Sequence, residues 1–161
     1  MKMDYTKKLE DLITILKDKK ILFSEMTKLT KGQTDSISED GVDMLTRLIS
    51  EKEGILQQII DLDDKFKSSY DSLKTELGVD SLEKSNDLPR YLLVELKKET
   101  KEILDMIHEI SEIDKVNKKM AQELKDNLAS EIKKINILKQ TNGAYFGKSS
   151  YQGSYFIDSK K

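Results

Sequence analysis

Beyond Pro89 this chain runs for about fifty residues without another proline or a single glycine, and that stretch limits the available folds more than any other feature. Read in alternating steps of three and four, it presents fourteen positions from Leu93 to Leu138. Ten of them are apolar, interrupted only by Thr100, Asp114, Asn117 and Glu131. Strands alternate with a period of two and need turn residues every few positions, so only a helix carries this pattern. At 1.5 Å rise per residue the rod would be about 75 Å long.

Two shorter segments repeat the pattern. The first gives Tyr5, Leu9, Leu12, Leu16, Lys19, Phe23, Met26, Thr30, Gln33 and Ile37, an apolar seam that weakens near residues 30 to 33. Ser38-Glu39-Asp40-Gly41 then reads as a turn, with Gly41 placed to take a backbone conformation other residues resist. The second gives Leu45, Leu48, Lys52, Ile55, Ile59, Leu62, Phe66, Ser69 and Leu73. Ile49, Leu56, Ile60, Tyr70 and Leu77 widen it to the stripe of a helix with more than one neighbour. Gly78 ends it, residues 79–88 form a connector with room for one helical turn around Leu82, and Asp87-Leu88-Pro89 reads as the next helix start. The expected fold is all-α: an elongated antiparallel bundle or coiled coil of three long helices, at about 4–37, 42–77 and 88–140. Residues 1–140 make one helical domain, with Leu48, Ile55, Ile59 and Leu62 expected to face the third helix.

Composition excludes several functions. Lys+Arg 28 against Asp+Glu 30 gives a net charge of −2, and only Arg47 and Arg90 are arginines, so the basic excess of a nucleic-acid binder is missing. No cysteine is present, which removes disulfides, thiolate catalysis and the usual zinc sites. The apolar stretches are too short for a membrane span, and no signal peptide is visible, so a cytoplasmic protein is expected.

Catalytic chemistry finds little support. His108 is the only histidine; Asp105 and Glu112 share its helix face, but a di-metal bundle needs two such histidine–carboxylate pairs and further carboxylates. Clusters such as Asp61/Asp63/Asp64 and Glu109/Glu112 are what charged, solvated helix faces produce by chance. No phosphate-binding glycine loop and no nucleophile elbow occurs. The expectation is therefore no enzyme, no cofactor, no metal and no catalytic residue. The polar seam positions Lys52, Thr100, Asp114, Asn117 and Glu131 admit two readings: they fix helix register, or they leave part of the seam open for a partner helix.

After Gln140 the composition changes. Residues 141–161 hold three of seven glycines, five of ten aromatics and a single acid, Asp158. Such a segment lacks the apolar area to offset its chain entropy, so a flexible aromatic tail is expected. Its rings either fold back on the bundle or serve as a docking segment.

Residues 37–56 resemble the hairpin of FlgN-type flagellar export chaperones, with Ser38-Glu39-Asp40-Gly41 at the turn and Glu51-Lys52-Glu53 ahead of Ile55-Leu56. Ile113, Asn117, Met120-Ala121 and Leu124 resemble the third helix of that family, and the ending Ser154-Tyr155-Phe156-Ile157-Asp158 resembles its Gram-positive members. The resemblance implies a cytoplasmic chaperone, monomeric or weakly homodimeric, that binds the C-terminal helices of hook–filament junction proteins. It also implies delivery to the flagellar type III export gate through a tyrosine near the C-terminus, here Tyr145, Tyr151 or Tyr155. The groove for the client is expected near the C-terminal end of the third helix, anchored by Leu124, Leu128, Ile135 and Leu138. A non-enzymatic coiled-coil adaptor or homodimeric scaffold is the alternative.

Overall fold

A computed structural model describes residues 5–142. Three α-helices follow one another: α1 (Thr6–Ser36), α2 (Val42–Leu77) and α3 (Arg90–Asn142). Single 3-10 turns at Glu39–Gly41 and Leu82–Lys84 occupy the two connections, and no strand occurs among the described residues. The all-α, three-helix reading of the periodicity is what the chain adopts.

The hairpin between α1 and α2 closes on Gly41, for a different reason from the one expected. Its backbone is ordinary, with φ −95°, but a Cβ there would lie 2.2 Å from the Ser36 carbonyl oxygen. Space, and not backbone freedom, requires glycine at this turn. Gly78 is the residue that uses its freedom. At φ 66° it takes the left-handed conformation after α2, and Val79 N–H reaches back to the Lys74 carbonyl at 3.1 Å. The connector is anchored by Leu82, which is buried, and α3 starts on the Pro89 carbonyl, which accepts from the amides of Leu92 and Leu93.

Packing follows only part of the expectation that the α2 stripe faces α3: Ile59 meets Ile110, whereas Leu48 lies on α1. The α1 helix packs along both α2 and α3, whereas α2 and α3 barely approach one another. The short hairpin lays α2 directly on α1, so that Leu48 sits against Gly32, and the longer connector carries α3 to another side of α1. The main core lies at the connector end, where Leu9, Leu12 and Ile13 meet Leu73, Leu82, Leu88, Leu92 and Leu93. Phe66 and Tyr70 stack beside it with centroids 5.7 Å apart, and the Lys74 ammonium lies 4.9 Å from the Tyr70 ring. A smaller cluster of Met26, Ile59 and Ile110 joins all three helices at mid-height.

Candidate functional site

The weak seam of α1 near Thr30 and Gln33 is closed, not open. Thr30 and Gln33 are buried, and a polar layer replaces the missing apolar contacts. Asn117 Nδ2 donates to the Thr30 carbonyl at 3.0 Å, while Thr34 Oγ1 donates to Asn117 Oδ1. Lys52 Nζ donates to Gln33 Oε1 at 2.8 Å and to Asp114 Oδ1 at 3.1 Å, so one ammonium from α2 spans α1 and reaches α3. These satisfied polar groups set the register of the three helices. Thr100 makes only a bond to its own helix, to the Leu96 carbonyl, and Glu131 is exposed.

Ion pairs fasten α3 to α1 on the outer side. Lys17 lies 2.8 Å from Glu95, and Lys20 lies 2.7 Å from Glu99 and 2.5 Å from Glu102. Glu99 is almost fully buried, and its Oε2 faces the Lys20 ammonium. Hydrogen bonding to Glu102 and Glu99 holds the Lys20 ammonium above its ordinary range, and the bond from Lys20 holds the Glu102 carboxyl below its own. On the other side of α1, Lys8 pairs with Glu76 at 2.6 Å and Lys19 pairs with Asp63.

The α1 helix ends at Ser36, and its side-chain bonds to α3 end at Asn117. Beyond that point α3 continues for about 25 residues, or roughly 37 Å. No residue from 118 to 140 is buried. Leu124 and Leu128 are half-buried, while Ile135 is 46% and Leu138 54% exposed. All four expected client anchors therefore lie on the overhanging half of α3, and all four retain accessible surface.

A second apolar surface escaped the sequence reading. Between α2 and α3 runs an open concavity of about 420 Å³, floored by Phe23 and Met26 of α1 and walled by Ile49, Leu56, Ile107 and Ile110. Its signal was the widening of the α2 stripe by Ile49, Leu56 and Ile60. These side chains were read as contacts to a further helix, yet each is more than two-fifths exposed. His108 is exposed, and no group of three histidine or carboxylate side chains suited to a metal occurs among the described residues. No helix among them is long and apolar enough to cross a membrane. The tyrosines read as docking candidates, Tyr145, Tyr151 and Tyr155, lie outside the described residues.

A family model described as FlgN protein matches residues 1–153. The chain belongs to the FlgN family. Neither a curated protein nor a solved structure matches it. Membership makes the chain a flagellar export chaperone at the level of the family, and agrees with the resemblance carried by the hairpin and the third helix. A FlgN-family protein acts on export substrates. Among the described residues, the overhang of α3 and the groove between α2 and α3 leave apolar side chains exposed.

Proposed function

We propose that this FlgN-family protein holds the C-terminal helices of hook–filament junction proteins in the cytoplasm and delivers them to the flagellar type III export gate. The observation that supports this reading is the overhang: about 25 residues of helix beyond Asn117, in which no residue from 118 to 140 is buried and Ile135 and Leu138 are about half exposed. A client helix laid along Leu124, Leu128, Ile135 and Leu138 would bury apolar area worth about 25 cal/mol per Å². Ordering the client opposes part of that gain, which leaves an affinity low enough for handover. The tail, with Tyr145, Tyr151 or Tyr155 as the contact, would serve as the segment that docks on the gate.

The test is capture of purified junction-protein C-terminal helices. Leu128→Glu should abolish capture and leave helicity unchanged, because the site is not part of the core. Tight capture by a chain truncated after Lys119, or by the Leu128→Glu variant, would place the client elsewhere.

A further inference from the structure

Two stretches of α3 leave apolar surface open: the overhang beyond Asn117, and the part that walls the concavity shared with α2. Leu56 at 49%, Ile49 at 42% and Ile107 at 41% stand exposed on the walls of that concavity. On α3 it runs from Ile107 to Asp114, about 10 Å of helix axis. A helix about 10–12 Å across would take about 800–1,200 Å³ over that length, two to three times the volume present. The concavity therefore suits a few large side chains on an extended segment better than a helix. Charge does not select the occupant, because Lys52 stands beside Glu53 and Asp114 on the lip, with Lys115 and Lys118 just beyond.

The segment that leaves α3 has the spacing to cover both. Residues 143–161 follow Asn142 and carry large apolar side chains in three groups, Tyr145-Phe146, Tyr151 and Tyr155-Phe156-Ile157. Asn142-Gly143 is a dipeptide that favours chain reversal. With Gly143 and Ala144 used for the turn, an extended chain returns along α3 at about 3.3 Å per residue, against about 1.5 Å per residue of helix. The first group then lies about 3–7 Å back, level with about position 139 of α3, and Tyr151 lies about 23 Å back, level with about position 127. The third group lies about 36–43 Å back, level with about positions 118 to 113. Those heights hold Leu138, Leu128 and the Asp114 end of the concavity. Three groups in the segment meet three successive apolar places along the helix they would cover.

We propose that residues 143–161 fold back along α3 of their own chain, with Tyr151 covering the Leu128 stripe and Tyr155, Phe156 and Ile157 filling the groove between α2 and α3. The contact is tethered, so it forms at any protein concentration and holds its place against free partners that are dilute. The fold-back itself stands without the export reading, whereas its consequence rests on that reading. The segment shields the client stripe until a client helix displaces it, and displacement frees the tyrosines for the export gate. Loading and gate docking are thereby coupled, because client and gate both favour the open form of the same segment.

Tryptophan is absent from the chain, so Phe156→Trp gives one emission signal, from the segment itself. In the full chain its maximum should be blue-shifted from that of a free 143–161 peptide with the same substitution. The shift should be equal at about 1 and about 100 μM, as for any tethered contact. Ile49→Glu should return the emission to the peptide value by placing a charge in the apolar contact. Ile60→Asp, outside the concavity, should not. Circular dichroism checks that each variant is folded. Emission from the full chain equal to that of the peptide overturns the proposal. So does a shift that grows with concentration, which would assign the groove to a second copy, or one that survives Ile49→Glu, which would place the segment elsewhere. None of these readouts contains a client, so they hold even if the export reading fails. Purified junction-protein C-terminal helices should move the emission to the peptide value and bind the Ile49→Glu chain at least about threefold more tightly. Binding that leaves the emission unchanged would overturn the coupling of client and segment.

Discussion

Replacing Ile59 by Asp should unfold this protein's middle, and replacing its neighbour Ile60 should not. Ile59 is 3% exposed between Met26 and Ile110, whereas Ile60, the next residue of the same helix, is 42% exposed. Removing the buried side chain forfeits about 1.5–3 kcal/mol of transfer free energy. The carboxylate then either remains charged without a partner or binds a proton, and either route adds about 1–3 kcal/mol. A total near 4 kcal/mol follows, at the upper end of single-site effects. For a chain of this size about 2–4 °C is lost per kcal/mol, so Ile59→Asp should lower the melting temperature by about 8–16 °C. Ile60→Asp should change stability by less than about 0.5 kcal/mol when measured at low concentration, where self-association contributes nothing. Thermal melts followed at 222 nm decide the matter. Equal losses from the two variants would mean that the buried face of α2 has been assigned one residue out of register.

Gly41, the N-cap of α2, and Gly54 within that helix should respond in opposite directions. Gly41→Ala should cost about 1–3 kcal/mol in urea denaturation, through the close Ser36 carbonyl, and Gly54→Ala should add about 0.5–1 kcal/mol, since nothing lies within 4 Å of its added Cβ. The Lys20–Glu102 pair should give stability a defined pH dependence. The folded carboxyl of Glu102 lies below 4.5 and the folded ammonium of Lys20 above 10.5, so the pair's contribution is present between those values. It is lost as pH falls through the folded carboxyl value or rises through the folded ammonium value. The stability difference between wild type and Glu102→Gln should therefore shrink as pH falls from neutrality through the folded carboxyl value, and a constant difference would deny the pair any role. Deleting residues 143–161 should leave helicity unchanged and client capture at least as tight while abolishing binding to the isolated export gate. Normal gate binding by the truncated chain would remove the docking role proposed for the tail.

Three helices, their turn signals and the length of the third were legible in the sequence. Apolar spacing and the positions of Gly and Pro are local properties, and a helix needs only its own residues to satisfy its backbone. Leu9, Leu12, Ile59, Leu73 and Ile103 were all on the stripes read from spacing, and all are buried. The family, too, was visible in the order of hairpin and long helix, because such order survives where individual residues are loose. Which helix stands between the other two was not legible. A stripe reports that a face must be covered, not what covers it, so Ile49 and Leu56 read as core although the fold leaves them at an open corner. Polar seam residues were ambiguous for the same reason. Asn117, Gln33 and Lys52 acquire partners 87, 19 and 62 positions away in the sequence, and only the tertiary arrangement turns a gap in the seam into a bonded layer. The Gly41 turn was found from its residue type, but its cause lay in the distance to Ser36, a contact that exists only once α1 and α2 are packed side by side.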